Sequence, residues 1–458
     1  MELLCYVPVP TSRIQYTFDF IFEEVLGVQY SFTSSIDALM NWCGPKMTYH
    51  TSRVSDRIYH LPATGLLAQN KINENLATDV ITVDGLPAVF PTEEGDFKFD
   101  LPSFVFYNLS RYEEYTSSER DRHGRFISGN SIAVKYDFLE LPIVDIWIAR
   151  WGKEIKARFP DLHIPLLDDL MGKGRIELTF DIDFPWAFQF RHNFANIGGA
   201  FKDLLRWDWP HLSKRLQVMT GRSPDPYDQY DFILSETKKR NIQPLFFLLN
   251  RDGTTFDRNH FIHRIEYHVL IQKLESFSKL GIHPSYYAMN QGDLMRHEIK
   301  CLEQRVQGKI SKARMHFLRM KLPETYRLLY EQGIRTDYTM GYADRAGFRS
   351  GTSYKHQWFD LALNRRSELN LVPLICMDTT FHDYLGLTPE QAQKKMTKLM
   401  DWVWLMRGNC AILWHNSSLS GWGAWKGWRK VFLETLPEEP SVSYDLVSSI
   451  RAGSLILK

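Results

Sequence analysis

The sequence predicts an α/β chain of two units: a smaller N-terminal α/β domain, then a distorted (β/α)7-type barrel. Three observations predict it. At 458 residues the chain exceeds one ordinary domain but suits a large barrel with a companion. From Arg175 onward, short apolar segments ending in polar clusters alternate with longer stretches of helical period, which implies a parallel sheet. Six or seven such repeats suffice to close or nearly close a barrel.

Taken in order, the first unit spans residues 1–159 and mixes short apolar runs, "DVITVDGLPAVF" and "SFVFYNL", with turn residues. It holds two segments dense in charge and aromatics, "LSRYEEY" (Leu109 to Tyr115) and "DRHGRF" (Asp121 to Phe126), read as a surface or interdomain salt-bridge network. Residues 160–174, with several charges and two glycines, form the expected connector, and 175–458 the second unit. There "RIELTFDID" alternates Ile176, Leu178 and Phe180 with more polar neighbours, the period of a strand. Further strands are expected in "PLFFLLN", "KLGIHPS", "TDYTMGYA", "LVPLICMDT" and "NCAILWHNS". Helices are expected in "HRIEYHVLIQKLESFSK" and "PEQAQKKMTKLMDWVWLM".

Composition narrows the function classes. The 55 basic and 54 acidic residues leave a net charge of +1, so the overall balance makes no case for nucleic acid or an anionic membrane as the main partner. Local basic patches stay possible. Five scattered cysteines without a CxxC pair argue against a disulfide framework or a cysteine zinc site and read as reduced thiols. Without a basic region leading into a sustained apolar run, or any apolar stretch near 18 residues, neither a secretory signal nor an integral membrane segment is expected, and a cytoplasmic location follows as an expectation. Tryptophan is abundant at 13 residues, suiting either sugar stacking or core packing.

In barrels of this kind chemistry sits where strands end. Asp181 and Asp183 close the first barrel strand with only Ile182 between them, so both carboxylates face the same side. Their repulsion needs compensation, and a divalent cation bound by carboxylate and imidazole would supply it. Asn250, His283, Arg349, Asp378 and His415 lie at the later strand ends or in the loops beyond them. A metal there would lower the pKa of a bound water, with one aspartate as base and a histidine as acid.

These motifs, in this order, resemble those of the NodB-type polysaccharide deacetylases of carbohydrate esterase family 4, and the resemblance covers about Ile176 to Trp428. "TFDID" stands where that family has TFDD, which implies Asp181 as general base and Asp183 as metal ligand. "GIHPS" implies His283 as a ligand, "GFRSGTS" implies Arg349 as the residue orienting the base, and "MDTT" with "AILWHN" implies Asp378 tuning His415 as acid. The whole chain is similar to a bacterial branch in which a domain of unknown function precedes the barrel. Where the family places a second histidine one helical turn after the first, this sequence has Tyr287. His316, in "ARMHFLR", is the expected replacement ligand, the alternative being a histidine packed in a helix. Gly351 or Thr352 stands near the place of the expected oxyanion amide. Tyr287, Asn416 and Trp422 complete the expected substrate contacts. Trp422, Trp425 and Trp428 are expected to share a helix face. His260, His263 and His268 read as helix-surface residues.

The resemblance implies metal-dependent hydrolysis of an N-acetyl, or alternatively O-acetyl, group on a sugar of a cell-envelope polysaccharide or its precursor. Zinc is the expected metal, with cobalt, nickel or manganese as substitutes. Two other readings remain from the sequence: an amidase on a non-sugar amide, and a carbohydrate-binding or assembly protein on a barrel that lost its metal triad at Tyr287.

Overall fold

The computed structural model of the chain describes residues 1–165, 174–191, 193–251, 253–257, 259 and 261–437. Residues 166–173 of the expected connector, His260, and residues 438–458 of the second unit lie outside them. In the first unit, β1 (Leu3–Tyr6), β2 (Tyr30–Thr33), β3 (Lys46–His50) and β4 (Tyr59–Pro62) form a parallel sheet in the order β2-β1-β3-β4. A hairpin of β5 (Ile81–Val83) and β6 (Leu86–Ala88) follows. The helix Ile143–Arg158 buries Trp147 and Trp151, and the Trp151 ring lies 5.4 Å from that of Phe22.

The second unit holds β7 (Arg175–Ile182), β8 (Leu245–Leu248), β9 (Lys279–Ile282), β10 (Lys312–Ala313), β11 (Thr336–Asp337), β12 (His356–Asp360), β13 (Arg365–Leu371), β14 (Leu374–Met377) and β15 (Asn409–His415). They make one curled sheet in the order β12-β13-β11-β10-β9-β8-β7-β15-β14, parallel except where β12 pairs with β13. β13 and β14 are one run of chain broken at Val372–Pro373: the first part pairs with β11 and the second with β15. Through that switch the sheet returns on itself as the expected seven-membered α/β ring. Proline suits the break because it has no N–H for a ladder. The Pro373 carbonyl instead accepts from the Ala411 amide at 2.8 Å.

Two short-range features were not legible. β10 has two residues, too few for any period, and the β12–β13 hairpin is a local addition at the sheet edge. The helix Pro389–Met406 matches its expected bounds, because Thr388 and Gln391 form a reciprocal cap before Pro389 at the first helical position.

Alternation sorts the barrel residues. Leu178, Phe180 and Ile182 on β7 face outward into the large core that also contains the N-terminal domain. Leu245, Phe247, Leu374, Ala411 and Leu413 form a separate inner cluster. Thr179 and Asp181, being offset by one from the outward residues, point inward.

The two units share a continuous core, with Tyr16 and Phe106 packed at 5.1 Å on Phe359. "LSRYEEY" lies at this junction, and its charges are buried rather than exposed. Glu114 Oε1 accepts from Arg111 Nε at 2.8 Å, and its two oxygens take Arg349 in a bidentate pair at 2.9 and 2.6 Å. Burial raises the pKa of Glu114, but Arg349 and Arg111 outweigh it and lower the carboxyl to about 2. Since the folded pKa lies below the unfolded one, the associated stability is fully present above about pH 4.5 and is lost as pH falls toward 2. Glu114→Gln leaves the buried Arg349 guanidinium without its counter-ion, while Arg111 keeps Glu113 at 2.6 Å, and is expected to cost about 3–5 kcal/mol at neutral pH. Urea unfolding at pH 7 and pH 3 tests this: the variant loses stability at pH 7 and narrows its gap from the wild type in acid.

Candidate metal centre

The site is assembled from strand ends on the inner rim of the barrel. Asp181, the seventh residue of β7, pairs in register with Phe247 on β8 and with His415 on β15. Asp183 lies just beyond β7, His283 one residue past β9, and His316 three residues past β10. Asp183, His283 and His316 each present a ligand atom, and these lie within 4.8 Å of one another. His283 Nε2 is 3.3 Å from Asp183 Oδ1, and His316 Nε2 is 3.6 Å from Asp183 Oδ2.

The outward ring nitrogens define the inward ones. His283 Nδ1 sits 2.6 Å from the Arg314 carbonyl, which only accepts, so Nδ1 carries the proton and Nε2 faces the cluster. His316 Nδ1 is 2.8 Å from Asp257 Oδ1, the carboxylate–imidazole arrangement that orients a metal-binding histidine. Asp257 is itself held by the Tyr286 amide at 2.7 Å and the Thr254 hydroxyl at 2.8 Å. Burial lowers the pKa of His316, but Asp183 and Asp257 overcome that and raise it to about 9. Asp183 is partly buried, and desolvation raises its carboxyl, yet His316 and His283 hold it well below the usual carboxylate range. Asp183 Oδ1 has no hydrogen-bond donor. One carboxylate and two imidazole nitrogens, with that carboxylate oxygen unsatisfied, fit a divalent cation such as zinc.

Asp181 is neutralised differently. Its Oδ1 accepts from Arg314 NH1 at 2.9 Å, and the Arg314 guanidinium, fully buried, lies 4.6 Å over the Phe247 ring. His415 approaches from the neighbouring strand β15, with Nε2 at 3.8 Å from Asp183 Oδ2 and Nδ1 at 2.7 Å from Asp378 Oδ1. Asp378 also takes the His415 amide at 2.7 Å. Burial pushes the imidazole down, but Asp378, Asp183 and Asp181 outweigh it and raise His415 to about 10.

Several expected residues stand elsewhere. Arg349 does not reach Asp181; it is committed to Glu114 and the Gly341 carbonyl, and Arg314 occupies the position beside Asp181. Gly351 and Thr352 are turned to the N-terminal domain: a Cβ on Gly351 would meet Asn108 at 3.0 Å, and the Thr352 hydroxyl donates to Asp145. The Gly351 amide donates to the Phe348 carbonyl at 2.9 Å and is not available to an oxyanion. Tyr287 is exposed, with Arg251 over its ring at 5.9 Å, and does not line the cavity. Asn416 is buried and spent on the carbonyls of Phe184 and Tyr227, both at 2.9 Å. Trp422 packs on Phe188 and His211. Trp425 stacks on His382 while Trp428 enters the core, so the three indoles share no helix face. Asn250 is buried against Arg305, away from the cluster. His268 lies on the helix Ile265–Glu275, and His263 just before it.

Sequence reasoning missed Arg314 and Asp257. Arg314 and His316 are two apart in "ARMHF", the spacing that drew notice to Asp181 and Asp183, but a two-residue strand gave that spacing no apolar context. Asp257 belongs to a loop and carries no local signal.

The site opens into a cavity of about 220 Å³, and a second of about 370 Å³ shares Arg125, Leu318, Ala343 and Tyr384 with it. "DRHGRF" supplies part of this joint wall. Arg125 is pinned there by Asp121 at 2.7 Å and by the Phe317 carbonyl at 2.9 Å.

Comparisons with known proteins add the following. Residues 3–160 match the model of a family of unknown function, DUF7033. No curated protein matches the chain. Among solved structures, one titled "putative polysaccharide deacetylase from Mycobacterium smegmatis" aligns with 62% of this chain and 93% of its own, at 16% identity and a TM-score of 0.39. The structure titled Puue allantoinase aligns with 62% and 92%, at 9% identity and a TM-score of 0.36.

Elemental analysis tests the centre. Near-stoichiometric divalent metal is expected in the wild type and its loss in Asp183→Ala, His283→Ala and His316→Ala. Asp257→Asn is expected to weaken metal affinity by about 10- to 100-fold, measured by competition with a chromogenic chelator.

Proposed function

We propose that this chain is a metal-dependent hydrolase that removes an acetyl group, in the first instance an N-acetyl group, from a sugar of an envelope polysaccharide or its precursor. The observation that carries the reading is the convergence of Asp183, His283 and His316 with a carboxylate held by an arginine on one side and an imidazole held by a carboxylate on the other. Asp183, His283 and His316 would hold the cation, which when bound supplies Lewis acidity toward an acyl oxygen and toward water.

The chain's own residues do the proton work. Asp181, oriented by its pair with Arg314, accepts the proton of the attacking water. His415 stays protonated because Asp378 faces its Nδ1, and it delivers the Nε2 proton to the departing amine. Phe317, Leu318 and Leu413 give the cavity apolar walls that exclude bulk water and strengthen each charge interaction. Arg349 acts at a distance: through Glu114 it secures the N-terminal domain whose Arg125 lines the mouth.

Acetate release from N-acetylated sugar oligomers, followed with metal-loaded protein, tests the reading. Asp181→Asn and His415→Asn are each expected to lower kcat by about 10²- to 10⁴-fold while retaining metal. Arg314→Gln is expected to lower kcat, whereas Arg349→Gln lowers stability first. Metal-loaded protein that releases no acetate from any acetylated sugar refutes the substrate assignment, and hydrolysis of simple amides in its place points to an amidase.

A further inference from the structure

The segment between β7 and β8 folds as a helical hairpin whose polarity is inverted. Its helices span Asn193–Leu205 and Trp209–Met219. Between them the buried groups are polar. Arg215 Nε donates to Asp203 at 2.8 Å, Arg215 NH1 to Asn196 at 3.2 Å, and His211 Nδ1 lies 3.0 Å from Asp203. The apolar residues point outward. On the first helix Ile197, Phe201, Leu204 and Leu205 are exposed, and on the second Trp209, Leu216 and Met219. Both sets recur at helical spacing, so each helix carries one apolar stripe turned away from its partner. The turn adds Trp207, the most exposed of these side chains at 76%.

A soluble hairpin ordinarily buries such stripes, and an exposed apolar patch of this extent marks a surface that meets something apolar. Charge decides what. From Arg191 to Arg222 there are six lysines and arginines against two aspartates, in a chain whose net charge is only +1. Arg215 is consumed inside, but Lys202, Arg206 and Arg222 are exposed around the stripes. Outward Trp, Phe and Leu flanked by basic residues is the composition of a helix that lies in a bilayer interface, where indole rings favour the head-group level and cations favour anionic lipid. No described helix is long and apolar enough to cross a membrane, so the contact is one of lying on the surface.

The hairpin is fastened beside the metal centre. Asn196 Nδ2 donates to the Phe188 carbonyl at 2.9 Å, and Arg215 lies 4.8 Å over the Phe188 ring. Val218 joins Ala187 and Phe188 in a small cluster under Trp422. Phe188 stands five residues after Asp183. Three amides of this connection, those of Ala187, Phe188 and Gln189, are held by Asp225. A surface that receives the hairpin therefore lies at the mouth of the barrel.

We infer that the hairpin 193–219 docks the barrel mouth onto the surface of an anionic lipid bilayer. Resting on the deacetylase reading, the consequence is that the acetylated sugar is the head group of a lipid-anchored molecule. Flotation of the full-length protein with vesicles tests the docking. Wild type is expected to float with phosphatidylglycerol–phosphatidylethanolamine vesicles and to bind pure phosphatidylcholine at least tenfold more weakly. Phe201→Ser, Leu205→Ser, Trp207→Ser and Trp209→Ser combined are expected to lower partitioning at least tenfold, and Lys202→Glu with Arg206→Glu to remove the preference for anionic lipid. All the substituted residues are exposed, so metal content and the thermal midpoint should match wild type. Wild type that stays with the aqueous fraction overturns the inference, as does a serine variant that floats equally well. A hairpin-dependent dimer in sedimentation velocity without vesicle binding overturns it in favour of a second copy. Acetate release is assayed on the same metal-loaded protein, so vesicle binding by metal-loaded protein that releases no acetate keeps the docking and withdraws only the lipid-anchored sugar.

Discussion

The second unit is organised around a charge problem at the inner rim of its barrel. Strand geometry forces Asp181 and Asp183 to one side, and two carboxylates so close do not share a buried space unless each finds its own cation. Asp181 finds the Arg314 guanidinium, and Asp183 is ringed by His283, His316 and His415. Each imidazole is aimed by an acceptor behind it: the Arg314 carbonyl, Asp257 and Asp378. The segment after β10 serves both carboxylates at once, since Arg314 and His316 alternate around Met315. Phe317 and Leu318 directly beyond it take left-handed backbone with φ of 60° and 52°. Non-glycine residues in that region carry a local energetic cost that the surrounding structure must sustain, here at the wall of the cavity beside Asp183, His283 and His316.

The N-terminal domain is part of the same solid body. The loop that a deacetylase-like pattern would spend on the base, "GFRSGTS", is spent on the domain junction. Arg349 takes Glu114, and Thr352 and Ser353 take Asp145. Asp145 has only neutral donors around it, and burial raises its pKa to about 7 against their pull. Asp181 is paired with Arg314 instead, and the loop holds the two units together. The first unit then reaches the mouth through Arg125.

The inverted hairpin stands apart from both. Over its two helices the buried pair is charged and the large apolar side chains face outward. The Asp203–Arg215 pair inside it is costly to bury and specifies how the helices pair, while the outward stripes leave the gain from apolar burial to be realised against another phase.

What the sequence determined by itself was local. Period-two alternation identified β7 and placed Asp181 and Asp183 on one face, and a reciprocal cap with proline bounded the helix Pro389–Met406. The strand-end histidines His283 and His415 follow from short apolar runs that stop at a polar residue. The spatial partners of these residues were decided by tertiary structure. Arg349 and Arg314 are both arginines near strand ends, and only the closure of the ring puts one against Asp181 and the other against Glu114, 235 positions away in the chain. Asp257 and Arg125 reach the site on loops, whose course is set by the elements they cross rather than by their own residues. The tryptophans after His415 had helical spacing but glycines at 421, 423 and 427, all with positive φ, which turn the chain and send Trp422 to His211 while Trp425 and Trp428 meet each other beside His382. Periodicity reports a residue's own backbone; a contact across the barrel depends on where every intervening residue leads the chain.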